Sequence, residues 1–515
     1  MAMVKSVERL LRSFFRRAVF LGLLFFLLTS ACNFPLLSQP HPTDEPSVQQ
    51  TLAALWFATP VSSLQQGNNQ SNPDIVTSLP AVSPGMIAYS IQSGDTLDAL
   101  AKRFQVQPEE ILSSSPLSAQ GLLPSGQVVT IPAVIQEEVT GGALLPDSEV
   151  IFSPSAASLD LVAFIQSSGG YLSRYSLEID GENLTGAQVV QRVALETSIN
   201  PALLLGVLEY RSGWVTSNPP GADQTEYPIG FMLPSYAGLY KELLLTARYL
   251  TIGYYGWRSG NFIRLTFTDG SSLRIAPALN AGTVGLQSLF AMLYSQSGWQ
   301  TALYGNASFP AAYRALFGDP WQRAALVEPL FSPALQPPSL ELPFQPGERW
   351  ALTGGPHAAW GIGSPFGALD FAPITGQKGC QVSTAWALAS ISGLVVRSAD
   401  GVVVIDLDAD GSEQTGWNLL YLHIAREGRI STGSRVQTGD RIGYPSCEGG
   451  VSSGTHVHLS RKYNGEWIPA DGSLPLVLSG WRAFSEEKAY RGGLVKGDQV
   501  VTAKTDGSSN SVITR

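Results

Sequence analysis

Four of the chain's five histidines, His357, His423, His456 and His458, lie between positions 357 and 458 of 515. One carboxylate, Asp370, stands among them in Gly367-Ala-Leu-Asp-Phe371. His456 and His458 form a His-Val-His triplet in Gly454-Thr-His-Val-His-Leu459. Residues i and i+2 of a β-strand point to the same face, so the two imidazoles can meet at one point. A catalytic zinc site commonly takes three protein ligands and leaves one position for water. His357, Asp370 and His458 can supply two nitrogens and one carboxylate oxygen, with His423 and His456 beside the bound water. Zn2+ lowers the pKa of that water toward neutrality and polarises a carbonyl. No His-Glu-x-x-His helix is present, so a glutamate base of that kind is not available. Imidazole, titrating near neutrality, is expected to move the proton. The pattern points to a zinc hydrolase.

The segments around this cluster set its compartment. Lys5, Arg9, Arg12, Arg16 and Arg17 precede an apolar run from Ala18 to Leu28, and Leu28-Thr-Ser-Ala-Cys32 follows. The run is short for a membrane span and reads as an export signal. The ending resembles a bacterial lipobox, which implies Cys32 as a lipidated N-terminus and a membrane partner through the lipid anchor. Loss of residues 1–31 removes five positive charges and one negative, taking the net charge from −9 to −13. An acidic chain without basic clusters argues against nucleic acid as a partner. In an oxidising compartment Cys380 and Cys447 are expected to pair as a disulfide.

At 515 residues the chain has room for about three domains. Residues 32–85, rich in Pro, Ser, Gln, Thr and Asn, read as a flexible tether. Residues 86–133 read as β-α-α-β. Tyr89-Ser-Ile91 is a strand, and Asp95 or Thr96 caps a helix with Leu97, Leu100, Ala101 and Phe104 on one face. Pro108 opens a second helix, and Val128–Pro132 closes the unit as a strand. The run Tyr89-Ser-Ile-Gln-Ser-Gly-Asp-Thr-Leu97, then Ala101-Lys-Arg-Phe-Gln-Val106 and the Gly126-Gln-Val-Val-Thr-Ile-Pro132 ending, resembles the LysM family. The resemblance implies binding of N-acetylglucosamine-containing glycan, with Gly94, Asp95, Thr96 and Ile111 near the groove.

Residues 145–335 read as mainly helical. Asn200-Pro201 starts a helix and Gly213 ends it. The segment Ile199–Trp214 resembles the opening helix of lysozyme-like transglycosylases and glucosaminidases, in which a catalytic Glu precedes Ser-Gly. Here Arg211 holds that place, and Glu209 lies about 200° away around the helix. A non-catalytic helical domain is therefore expected, with a glycosidase as the competing reading. Gly253-Tyr-Tyr-Gly-Trp257 reads as core packing, with sugar stacking as the alternative.

Past the proline-rich residues 332–347, short strands alternate with Gly, Asp and Ser clusters, as in an all-β domain. His357, Asp370, Tyr421-Leu-His423, Gln437-Thr-Gly-Asp-Arg-Ile-Gly443 and Gly454-Thr-His-Val-His458 resemble the M23 (lysostaphin/LytM-type) metallopeptidases. The 13-residue interval from His357 to Asp370 resembles the staphylolysin-like branch. This resemblance implies an antiparallel β-sheet groove over residues 348–480, with zinc on His357, Asp370 and His458. It also implies that His423 and His456 are catalytic and that the peptide stems of peptidoglycan are the substrate. Residues 481–515 are expected as a C-terminal extension. The expected whole is an exported, lipid-anchored cell-wall hydrolase facing the wall, the alternative a non-catalytic wall-binding or hydrolase-activating lipoprotein. Asp406, Asp408 and Asp410 alternate at a turn and read as a solvent face, with calcium as the rival.

Overall fold

Residues 83–219, 221–374 and 379–515 are described by the computed structural model. The expected export signal and Cys32 lie outside the described residues. Among those residues no helix is long and apolar enough to cross a membrane.

The first unit is a three-stranded sheet, β1 (Met86–Ser90), β2 (Leu112–Ser113) and β3 (Val128–Pro132), with β3 in the middle. The Leu97–Phe104 helix packs on it, its N-cap Thr96 accepting from the Ala99 amide. The second helix is reduced to one 3₁₀ turn, Pro108–Glu110. Ser113, Ser114 and Ser115 before Pro116 favour turns and extended backbone over helix, and the chain pairs with β3 instead.

Helices dominate the next region, with two small hairpins, β4 (Ser176–Ile179) with β5 (Glu182–Thr185) and β6 (Arg264–Thr266) with β7 (Ser272–Arg274). Asn200 caps the Pro201–Ser212 helix through its side chain, and Gly213 closes it in the left-handed conformation. The Leu239–Arg258 helix is the longest of the region and runs through its core. Tyr254, Tyr255 and Trp257 are buried in that core, so they pack rather than present faces to a sugar.

The last region centres on a large antiparallel sheet. Its strands are β8 (Arg349–Ala358), β9 (Phe366–Pro373), β11 (Gly393–Ala399), β12 (Val402–Asp406), β13 (Trp417–Leu422), β14 (Arg435–Val436), β16 (Val457–Tyr463), β17 (Glu466–Trp467) and β22 (Val512–Thr514). The order is β14-β11-β12-β13-β16-β9-β8-β22, with β17 on β16. A two-stranded ladder, β10 (Ala387–Leu388) with β15 (Arg441–Gly443), lies beside it. Residues 481–515 are not an appendage. The strands β18 (Val477–Leu478), β19 (Trp481–Ser485), β20 (Gly492–Lys496) and β21 (Gln499–Thr502) form a sheet of their own. Leu494, Val501 and Ile513 join the same core as Leu369, Tyr421 and Leu459, and β22 closes the main sheet at β8.

The two faces of the main sheet bury different things. Val403, Ile405, Leu419, Tyr421, Val457 and Leu459 face the domain's own core. Val402, Val404, Leu420 and Leu422, on the opposite face by strand alternation, join the core of the helical region. The β16–β17 turn presses into that region. A Cβ on Gly465 would come within 2.0 Å of the Phe152 carbonyl oxygen, at a φ of +79°, so only glycine fits.

Beside this contact Glu413 is buried between Arg397 (Nε at 2.6 Å) and Lys462 (Nζ at 3.0 Å). Burial pushes its carboxyl up, but Lys462 and then Arg397 outweigh that and hold it at about 2. A folded value below the unfolded one stabilises above pH ~4.5 and is lost as pH falls toward 2, on the order of 3 kcal/mol. Urea unfolding of wild type and Glu413→Gln is therefore expected to differ most near pH 6 and to converge toward pH 2. A pH-independent gap would refute the linkage.

Candidate metal centre

Three strands bring the sequence-predicted ligands together. On β16, His458 pairs with Asp370 of β9 on one side and Leu422 of β13 on the other. His357 is near the end of β8, where the β8–β9 ladder shifts register around Gly354, His357 and Ala358. Those shifts turn His357 toward Asp370 despite the 13 residues between them. Gly354 makes room, because a Cβ there would meet Asp370 Oδ2 at 2.4 Å.

The three ligand atoms form a near-equilateral triangle. His357 Nε2 is 3.0 Å from His458 Nδ1. Asp370 Oδ1 is 3.3 Å from each of these nitrogens. Ligands ~2.0–2.1 Å from a tetrahedral zinc are ~3.3 Å apart, so the triangle has the size of one face of that tetrahedron. The tautomers agree. His357 Nδ1 faces the Gly355 carbonyl at 2.9 Å, and His458 Nε2 faces the Ala359 carbonyl at 3.0 Å. A carbonyl accepts only, so those nitrogens carry the protons, and in the neutral rings the two facing nitrogens carry lone pairs. Asp370 Oδ1, buried, has no hydrogen-bond partner. Two imidazole nitrogens and a carboxylate oxygen converging at this spacing make a site fit for a cation. All three residues are buried.

Burial pushes the Asp370 carboxyl up, but His357 and then His458 hold it well below the usual range. Burial opposes a charge on His357, and Asp370 outweighs it and raises that imidazole. Burial lowers His458.

The other two histidines stand at the rim. His423 directly follows β13 in the left-handed region at a φ of +68°, and its Nδ1 donates to the Glu448 carbonyl at 2.8 Å. His456 Nδ1 lies 2.7 Å from the Gly454 carbonyl, and its Nε2 is 3.6 Å from Asp370 Oδ1. The His423 and His456 ring centroids are 4.5 Å apart. Burial first, then His456 and His458, push His423 down to about 3. His423 is therefore neutral at pH 7, with a lone pair on Nε2.

Cys380 and Cys447 are joined in a disulfide. It holds the chain around residue 380 next to Thr455, whose amide donates to the Gly379 carbonyl at 2.9 Å. Sequence reasoning missed three contributors. The Gly355 and Ala359 carbonyls orient two ligands, and Tyr490 stacks on His357 with centroids 4.1 Å apart. Gly354-Gly355 directly before Pro356-His357 was the available signal for close backbone approach.

Of the four candidates in the first region, Gly94, Asp95 and Ile111 are buried and Thr96 is half-buried. Asp95 is buried, accepting from Tyr89 Oη at 2.7 Å and pairing with Arg103. Ile111 is in the core. Thr96 is occupied as the helix cap, and Gly94 lies against the Arg258 guanidinium. Glu209, the carboxylate nearest the transglycosylase position, is likewise occupied. It accepts from the Val215 amide at 2.9 Å and the Thr216 amide at 3.0 Å and is 2% exposed.

Comparison with known proteins fits this geometry. The LysM domain model matches residues 89–132, and the model of the LasA N-terminal domain matches residues 143–331. Protease LasA of Pseudomonas aeruginosa is 26% identical over 300 residues, covering 54% of this chain and 66% of that protein. The β-lytic metalloendopeptidase of Achromobacter lyticus is 30% identical over 159 residues, 29% of this chain and 39% of that protein. The chain thus carries a LysM domain and is similar to the LasA protease and the β-lytic metalloendopeptidases. Among solved structures, pseudoalterin, a deep-sea M23 metalloprotease, is 25% identical, with a TM-score of 0.28 over 32% of this chain and 95% of its own. The match spans just under two thirds of the LasA protease's length. The helical region is thus similar to a domain that accompanies a protease, and the transglycosylase likeness of its Pro201–Ser212 helix does not extend to a catalytic carboxylate.

Proposed function

We propose that the protein is an exported zinc metalloendopeptidase that cleaves peptide bonds in peptidoglycan. The observation that carries this reading is the donor-free triangle of His357 Nε2, Asp370 Oδ1 and His458 Nδ1. His357, Asp370 and His458 hold the metal. When bound, zinc supplies a water acidic enough to lose its proton near neutrality and a Lewis acid for the scissile carbonyl.

The residues of the chain do the rest. Gly355 and Ala359 fix the two imidazoles as ligands through their carbonyls. His423 and His456 have Nδ1 committed to carbonyls, leaving Nε2 of each as an acceptor toward the water; His423, held down to about 3, stays neutral and orients the water, and His456 takes its proton. That proton is returned to the leaving amine, and while held it donates toward the oxyanion.

The LysM domain supports a glycan-rich substrate. Binding two parts of one polymer raises the effective concentration at the second site. An N-terminal export signal with a lipidated Cys32 places the enzyme outside the membrane, facing the wall. The test is mass spectrometry of purified peptidoglycan after incubation with the zinc-loaded chain, intact and cleaved between residues 332 and 347, beside His458→Ala. New amino termini from wild type alone are expected. Their absence from both folded, zinc-loaded forms would discard the peptidase reading.

A further inference from the structure

The loop joining β12 to β13 gathers three carboxylates with no cation to balance them. Asp406, Asp408 and Asp410 each place an oxygen within 4.8 Å of the others. Two oxygens on opposite sides of a calcium ion with bonds of 2.3–2.6 Å are ~4.6–5.2 Å apart, so the three fit around one ion. Among the described residues no Lys or Arg forms an ion pair with any of them, and the nearby Arg397 and Lys462 are taken by Glu413.

Asp406 provides the observation that points to a ligand. It is fully buried at the end of β12, where its Oδ2 accepts from the Gly411 amide at 2.8 Å. Its Oδ1 is buried and no donor reaches it. An unpaired carboxylate oxygen in that position carries its full desolvation cost. Burial first, then a side-chain hydrogen bond with Asp408, push its carboxyl up to about 6, as expected where carboxylates crowd together and share a proton in the absence of a cation. Asn418, directly opposite Asp406 on β13, also has a buried Oδ1 without a partner. The exposed Asp408 and Asp410 complete the arc on the solvent side.

We propose that this loop is a second metal site, in which Asp406, Asp408 and Asp410 bind one calcium ion through carboxylate oxygen. The donor set is all oxygen and hard, unlike the two imidazoles and one carboxylate of the zinc centre, so the two sites select different ions. Three carboxylates on an 11-residue stretch that starts at Asp406 and ends at Gly416 suit a large, geometrically tolerant cation better than the rigid octahedron of magnesium. Loop carbonyls and water fill the remaining positions. The site would fix the β12–β13 hairpin beside Asn464, which links Gly416 to the Leu330 carbonyl of the helical region.

The test is calorimetric titration of the zinc-loaded chain with calcium chloride in metal-scrubbed buffer, with thermal melting in parallel. One calcium per chain is expected, with Kd on the order of 10⁻⁴–10⁻³ M as in extracellular modules, and a rise in Tm at saturation. Magnesium should bind at least about tenfold more weakly. Asp408→Asn/Asp410→Asn, two exposed positions, should lose both heat and Tm rise while circular dichroism stays native. His458→Ala should keep them. Terbium emission sensitised through Trp417 gives a second, local readout and should vanish in the double variant. Absence of calcium heat and of any Tm rise up to 10 mM overturns the site (~10-fold above the weak end of that range). So does binding that survives the double variant, and equal affinity for magnesium overturns the choice of calcium.

Discussion

His458→Ala is expected to remove bound zinc and peptide-bond cleavage together, whereas His423→Ala should keep the zinc and lose turnover. The difference follows from position. His458 Nδ1 is one corner of a triangle with 3.0 and 3.3 Å edges, and its loss leaves only two ligand atoms. His423 contributes to no edge of that triangle, since its ring centroid is 6.4 Å from that of His458. Loss of a group that holds the water for proton transfer costs on the order of 10²–10⁴ in rate. Metal analysis of the purified variants beside kcat/KM on one peptide decides it. A zinc-free His423→Ala protein, or a His458→Ala protein that keeps full zinc, would reverse the assignment of roles. Gly354→Ala belongs with the ligand variants, because the new methyl would push on the Asp370 carboxylate. Loss of zinc without loss of fold is its expected signature.

How far the sequence discloses this site depends on whether the signal is local. The His456–His458 alternation is local: both rings reach Asp370 Oδ1, at 3.6 and 3.3 Å. The His357–Asp370 contact is not, because it needs the register shifts between β8 and β9, and no spacing rule encodes those. The burial of the second sheet face was present in the sequence but ambiguous. Val402-Val-Val-Ile405 and Leu419-Leu-Tyr-Leu422 are continuous apolar runs, and strands buried on both faces look like this. What covers the second face is tertiary information. The helical region supplies the cover, on the same face as Asp370 and His458. Residues 481–515 read as an extension because they carry none of the site residues and their strands are short. The pairing of β22 with β8 and the burial of Leu494 and Val501 in the sheet's core show that they complete the domain.

Glu466→Ala is expected to loosen the helical region from the peptidase sheet, at a cost of about 3–5 kcal/mol. Glu466 and Asp147 are both buried and both bind Arg258, at 3.1 and 3.0 Å. Tyr254 Oη donates to Glu466 at 2.7 Å, and Arg258 also reaches the Ser93 carbonyl of the LysM region. One guanidinium thus ties the three regions together. Removing Glu466 leaves that cation in a dry site with half its counter-charge and leaves Tyr254 Oη without its acceptor. Tyr254→Phe, which removes one hydrogen bond and no charge, should cost only about 1 kcal/mol. The measurement is urea unfolding with limited proteolysis across residues 332–347. For Glu466→Ala the helical and sheet regions should unfold in separate steps and the connecting segment should be cut faster. The sheet face released in this way carries Val402, Val404, Leu420 and Leu422 beside Asp370 and His458. Cleavage of large substrates should therefore rise in Glu466→Ala under conditions where it remains folded. A single cooperative transition at wild-type stability would show that Arg258 is satisfied without Glu466 and that apolar contact alone joins the regions.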